Sequence, residues 1–178
     1  WNSVVPVDVD ADGRLDLVVG GPGLNSDYNS TLPVRLQAFD PDQDGVLELM
    51  ELGWEVARKE WVPLRSLEYL GDAFPGMAAR SGGHQAFAEG AWKAVLDESG
   101  PIVWSREIRR LDSLLLLNRG ERFEVRPLPP RVQFGPTWGL AVADWDADGW
   151  DDLAVVQNQS QLRSDLPPAT NGEGLILM

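Results

Sequence analysis

The sequence predicts a mainly β fold of short antiparallel hairpins, interrupted by one helical segment. Three observations carry the prediction. Short β-rich runs flank a tight acidic turn three times, an Asn-Arg-Gly turn joins two further apolar runs, and one stretch shows an apolar ladder at helical spacing.

Ser3-Val-Val-Pro-Val7 and Leu15-Asp-Leu-Val-Val19 bracket the first acidic turn and read as the two strands of a hairpin. Val34-Arg-Leu-Gln-Ala-Phe39 and Val46-Leu-Glu-Leu-Met50 bracket the second. Their period-2 alternation is that of a strand half exposed on one face. From Pro63 to Leu111 the composition shifts to Gly, Pro, Ala and a lone His. Phe87, Ala91 and Val95 share one face there, so a helix is predicted over Gln85–Leu96. The sheet pattern resumes over Ser113–Val125, where Asn118-Arg-Gly120 joins two strands and Gly120 takes the positive φ. Pro127-Leu-Pro-Pro130 then breaks the chain. Gly139–Ala143 and Leu153–Val156 bracket the third acidic turn, and Leu175-Ile-Leu-Met178 reads as a last strand. The expected organisation is one segment, 1–178, with a helical insertion at 63–111.

The three turns read Asp8-Val-Asp-Ala-Asp-Gly-Arg-Leu-Asp16, Asp40-Pro-Asp-Gln-Asp-Gly-Val-Leu-Glu48 and Asp144-Trp-Asp-Ala-Asp-Gly-Trp-Asp-Asp152. Each sets carboxylates at positions 1, 3, 5 and 9. So much like charge in one turn repels itself unless a cation is present. A hard divalent ion with six to eight oxygen ligands reverses the sign of the interaction, and Ca²⁺ suits flexible carboxylate loops. The Gly at position 6 (Gly13, Gly45, Gly149) permits the backbone reversal around the ion. The bland alternative is three acidic turns without metal, and the repeated spacing argues against it.

The middle turn has a second reading. Asp40, Asp42, Asp44, Gly45, Leu47 and Glu51 also fit a twelve-residue EF-hand loop. That loop needs helices on both sides. Pro33 falls in the entering one, whereas Leu49–Glu60 could form the exiting one. Position 12 of the other two turns is Val19 and Val155, which cannot coordinate. Whether Glu48 or Glu51 faces the ion separates the readings.

Formal net charge is −13, and twelve of the 28 acidic residues sit at the four ligand positions of the three turns. The remaining acids nearly balance the 15 Lys and Arg, so the acidity is local and ligand-like. The basic residues form no stripe, which argues against nucleic acid as a partner. With no Cys, disulfide and thiolate chemistry are absent, and no apolar run approaches the roughly 20 residues of a membrane span. His84 in Ser81-Gly-Gly-His84 has no recognisable catalytic partner and is expected at the surface. The eight Trp residues are expected in packing more than in stacking on sugar rings, although Trp145 and Trp150 lie inside an acidic turn. Asn29-Ser-Thr31 and Asn158-Gln-Ser160 are weak glycosylation matches. Gly20-Gly-Pro-Gly23 lacks the Lys-Ser/Thr of a phosphate cradle.

The turns start at residues 8, 40 and 144. The first interval suits a unit of about four short strands, and the second suits one such unit enlarged by the insertion. Hairpins that cannot bury their own faces point to stacked or radial repetition.

At these residues the chain resembles the FG-GAP/VCBS-type repeats. The resemblance rests on Val7-Asp-Val-Asp-Ala-Asp-Gly-Arg-Leu-Asp-Leu-Val-Val19 and Val142-Ala-Asp-Trp-Asp-Ala-Asp-Gly-Trp-Asp-Asp-Leu-Ala-Val155. The segment Leu115–Glu124 is similar to the outer hairpin of the same repeats, and Phe134–Asp144 to a lead-in strand of bacterial secreted members. It implies blades of a seven-bladed β-propeller like the integrin α-subunit head, here about three of them, so a larger chain or assembly is expected to complete the ring. It also implies about three structural Ca²⁺ ions, one per loop. The implied side-chain ligands are Asp8, Asp10, Asp12 and Asp16; Asp40, Asp42, Asp44 and Glu48; and Asp144, Asp146, Asp148 and Asp152. Backbone carbonyls of Arg14, Val46 and Trp150 complete the sets. Glu48 departs from the Asp of the other loops and has the longer reach. The expected function is an exported, calcium-stabilised module at the cell surface, in the periplasm or outside the cell, recognising a protein or glycan in adhesion. It is expected to have no catalysis of its own. The other reading is an accessory or architectural subunit of an envelope complex or enzyme.

Overall fold

The computed structural model describes residues 1–26, 28, 31–41, 43–74, 76–98, 100–158, 172 and 174–178. In chain order the elements begin with β1 (Ser3–Val7), β2 (Asp16–Gly20), β3 (Val34–Phe39), β4 (Glu48–Glu55) and β5 (Glu60–Pro63). The helical stretch holds α1 (Leu67–Ala73), α2 (Met77–Arg80), α3 (His84–Ala86), a π-helical turn Phe87–Ala91 and α4 (Trp92–Glu98). Then come β6 (Trp104–Ile108), β7 (Leu114–Asn118), β8 (Phe123–Pro127), a 3₁₀ turn Pro130–Phe134, β9 (Gly139–Ala143), β10 (Asp152–Val156) and β11 (Leu175–Leu177). The fold is mainly β, with three antiparallel sheets and a small helical insertion, as expected of a partial β-propeller.

Two compact units divide the chain: Trp1–Ser30 with Arg110–Met178, and Thr31–Arg109. In the first unit a four-stranded sheet runs β1-β2-β7-β8 and a three-stranded sheet runs β11-β10-β9. The first sheet is a meander in space but not in sequence. β2 pairs with β7 in the register Leu17↔Leu116, Val18↔Leu115 and Val19↔Leu114, across the whole 31–109 segment. The spacing of the acidic turns suggests instead that residues 8–40 supply a four-stranded unit. The described residues between 21 and 33 form no strand, and β2 takes its second partner from the Ser113–Val125 hairpin. Four adjacent Leu in β7 suit that central position, because a strand covered on both faces needs no polar alternation.

Val7, Val18, Leu128, Val132 and Val155 are the buried centre of this unit, with Leu115, Val142, Leu153 and Leu175 around them. They come from both sheets, which therefore stack face to face on one core. A buried polar cluster ties the chain between the sheets. Gln133 Nε2 donates to the carbonyls of Ser113 (2.9 Å) and Leu128 (3.0 Å), and its Oε1 accepts from Ser113 N–H (2.8 Å). Ser113 Oγ in turn accepts from Gly21 N–H at 3.0 Å and lies 3.1 Å from Thr137 Oγ1. Gly21 is fixed by space: a Cβ there would stand 2.4 Å from the Leu111 carbonyl oxygen and 2.6 Å from that of Asp112. This assigns the Gly20–Gly23 run a packing role.

The second unit has the strand order β5-β4-β3-β6, a three-strand meander with β6 added beyond β3. Helices cover the sheet. Phe39, Met50 and Leu52 bury against Leu67, Leu70, Phe74, Met77, Trp92, Val95 and Leu96, with Phe39 and Phe74 edge to face at 5.8 Å. Ser66 caps α1, its Oγ accepting from Tyr69 N–H at 3.3 Å. The helix predicted over 85–96 forms in pieces, because Gly90 sits at φ +113. Within 63–111, then, helices alternate with turns up to residue 98, and β6 returns the chain to the sheet.

Candidate metal centre

Each acidic turn lies between antiparallel strands: β1 and β2, β3 and β4, β9 and β10. Their backbones match. Position 4 is left-handed in all three (Ala11 +53, Gln43 +60, Ala147 +62), and so is position 6 (Gly13 +83, Gly45 +86, Gly149 +93). Position 7 then donates its N–H to the position-5 carboxylate: Arg14 to Asp12 at 2.9 Å, Val46 to Asp44 at 2.7 Å, Trp150 to Asp148 at 2.8 Å. The position-6 N–H donates to position 1: Gly13 to Asp8 at 2.9 Å, Gly45 to Asp40 at 3.3 Å, Gly149 to Asp144 at 3.0 Å. Outside the ligand positions all three sequences share only the glycine, with Ala at position 4 common to the first and third turns and Leu at position 8 to the first and second, yet their described residues wind the same way. No Cβ at Gly149 would touch any atom within 4 Å, so its glycine answers to φ and not to space. Gly149→Ala is expected to lower stability by about 1 kcal/mol and Ala147→Gly to raise it by several tenths. Paired thermal melts read the opposite signs, and equal effects would remove the strain argument.

The winding gathers carboxylates. Oxygens of Asp8, Asp10 and Asp16 lie within 4.8 Å of one another, and so do those of Asp144, Asp146 and Asp148. Asp16 and Asp152, at position 9, are buried and brace the turns: Asp16 Oδ2 accepts from Val9 N–H at 3.1 Å, and Asp152 Oδ2 from Trp145 N–H at 2.9 Å. Asp12 turns to the Arg14 guanidinium and stands outside the first cluster, as Asp152 stands outside the third. In the middle turn Asp40 Oδ1 and Glu48 Oε2 are buried with no hydrogen-bond partner. Buried carboxylate oxygens without donors are costly unless a cation meets them. Asp42 lies outside the described residues. All-oxygen donor sets of this kind fit a hard divalent ion.

The helix-flanked alternative for the middle turn is excluded by β3 and β4 on its two sides. Glu51, the rival last ligand, pairs with the buried Arg65 guanidinium, while Glu48 carries the unpartnered oxygen. Strand alternation explains the choice: Glu48 and Glu51 are three apart and point to opposite faces.

Two residues at the first turn were not foreseen as part of it. Asn118, at the end of β7, donates its N–H to Asp16 Oδ1 (2.6 Å) and its side-chain amide to Leu15 O (3.1 Å). Arg119 Nη1 donates to Asp10 Oδ2 at 2.5 Å, and its hydrogen bond holds the Asp10 carboxyl below its ordinary range. The Asn118-Arg-Gly120 turn was legible as a turn, but nothing local shows which loop it meets. His84 is exposed, 3.1 Å from Glu68 Oε1. Trp92 is core and Trp54 stacks edge on Trp61, whereas Trp145 and Trp150 are about half exposed. The glycosylation matches reach residues outside the described set.

The class these features define is a repeat protein of β-hairpins wound on acidic loops. Residues 1–32 match the family model of the FG-GAP repeat, so this segment is an FG-GAP-type repeat. The match covers β1, the first acidic turn and β2. No curated protein and no solved structure matches the chain. No helix among the described residues is long and apolar enough to cross a membrane.

Proposed function

We propose that this chain is a calcium-stabilised β-propeller module of an exported protein, which recognises a protein or glycan partner and performs no chemistry itself. The observation that carries the reading is the shared left-handed pair at positions 4 and 6 of all three turns, beside which carboxylates gather at the first and third. The unpartnered oxygens of Asp40 and Glu48 support it at the middle turn. FG-GAP repeats being typically extracellular, and calcium sites of this type filling where Ca²⁺ is near millimolar, support an exported setting. In this reading Ca²⁺ is structural: it fixes hairpin geometry, and its binding energy becomes folding energy. Asp8, Asp10, Asp12, Asp16 and the Arg14 carbonyl would hold one ion. Asp40, Asp42, Asp44, Glu48 and the Val46 carbonyl would hold another. Asp144, Asp146, Asp148, Asp152 and the Trp150 carbonyl would hold the third.

The test is binding of the chain to a glycan array and to extracellular protein extracts, with 1 mM-range calcium and after chelation, the concentration following from the affinity of extracellular sites. Calcium-dependent capture of one defined ligand is the expected result. Co-purification with other chains in fixed stoichiometry would favour the architectural reading, and turnover of any captured substrate would overturn the non-catalytic one.

A further inference from the structure

The first and third turns share a backbone and differ in charge. Two guanidinium groups reach the first: Arg14, within the turn, pairs with Asp12, and Arg119 arrives from the β7–β8 turn. Arg119 Nη1 lies 2.5 Å from Asp10 Oδ2 and 3.7 Å from Asp12 Oδ2, while its Nε donates to Glu124 Oε2 at 3.0 Å. Glu124 thus holds the guanidinium over the loop. Further ties fix that approach, since Arg14 Nε donates to the Asn118 carbonyl at 2.9 Å and Asn118 N–H donates to Asp16. At the third turn position 7 is Trp150, and among the described residues no Lys or Arg pairs with Asp144, Asp146, Asp148 or Asp152.

We propose that Arg119 is a tethered counter-cation of the first turn, which keeps that turn in shape without a metal ion and makes it fill with calcium after the third. The inference rests on the calcium reading given above. A divalent ion entering among Asp8, Asp10 and Asp16 must share Asp10 with the guanidinium or displace it. Like charges a few ångströms apart repel even under solvent screening. The same contact removes part of the carboxylate repulsion that an ion-free loop would otherwise suffer. Among the described residues the third turn has no such compensation, so its ion-free state is the less stable and its calcium binding the tighter. Arg119 is a positioning residue in this scheme, not a ligand.

The position-6 glycine amides resolve the turns in a calcium titration followed by ¹H–¹⁵N correlation spectra. In the unaltered chain Gly149 is expected to shift at lower calcium than Gly13. Arg119→Gln is expected to move the Gly13 midpoint about tenfold lower and leave Gly149 in place, whereas Arg119→Lys, which keeps the charge, moves it little. Simultaneous titration of Gly13 and Gly149 in the unaltered chain overturns the proposal even if the glutamine variant fails to fold. So does a Gly13 midpoint that is unmoved or raised in that variant. If no glycine responds to calcium, the calcium reading falls and this proposal falls with it. If Gly149 responds and Arg119→Gln changes nothing, only the role of Arg119 is lost.

Discussion

Chelation of calcium is expected to lower the melting temperature of the chain by about 10–15 °C, and about three ions per chain are expected to restore it. At each turn the native state gathers carboxylates that repel one another when no ion is bound, and the unfolded chain does not. Millimolar calcium stands at about ten times the dissociation constant of the tighter extracellular sites, which stabilises the native state by about 1.4 kcal/mol per site. Each kcal/mol moves the transition of a domain this size by roughly 2–4 °C. Three sites therefore reach about 10–15 °C. The first turn is expected to contribute least, because Arg119 and Arg14 already meet Asp10 and Asp12. Melts with EDTA and with stepwise calcium, read beside calorimetric stoichiometry, check this. A transition indifferent to both would leave three acidic turns and no metal.

Replacing Gln133 by Ala is expected to destabilise the first unit by about 3 kcal/mol, a loss of roughly 10 °C. Gln133 is 6% exposed, and its amide makes three hydrogen bonds to buried backbone groups. The Ser113 carbonyl keeps Leu128 N–H as a second donor at 3.0 Å, so the loss falls on Ser113 N–H and the Leu128 carbonyl. Each buried group left without a partner costs on the order of 1–3 kcal/mol. The change also opens the segment that links β8 to β9, which the Gln157 amide holds from the other side through Val132 O at 2.6 Å. A thermal melt of Gln133→Ala reads the effect. A shift of only a degree or two would mean that water replaces the amide at no cost, and that the cluster does not tie the two sheets.

The parts of this protein readable from residue spacing are those whose physics is local. A hairpin needs two short β-rich runs and a turn, all within about 15 residues, and β1 with β2, β7 with β8 and β9 with β10 form where that pattern stands. The acidic turns are local as well. Glycine at position 6 and the carboxylate at position 5, which accepts the position-7 N–H, act within one turn of chain, so three copies of the motif wind alike. The helix over 85–96 was only partly legible, since an apolar ladder at four-residue spacing is blind to the positive φ of Gly90 within it.

Tertiary structure decided the partners. That β2 pairs with β7 across the 31–109 segment follows from two strands each needing burial on both faces, a demand that spacing does not record. Nor does spacing record that β6 closes the sheet of the second unit beside β3, or that Glu51 meets Arg65 and leaves Glu48 to the middle turn. Arg119 reaches Asp10 because the β2–β7 register lays one hairpin's turn beside the other's loop, 109 residues away in sequence. The sequence by itself determined the hairpins and their acidic loops, whose energetics close within a few residues. The strand order, the insertion of one unit into the first sheet and the charge that each loop meets depend on which apolar faces bury together, and only the folded chain settles that.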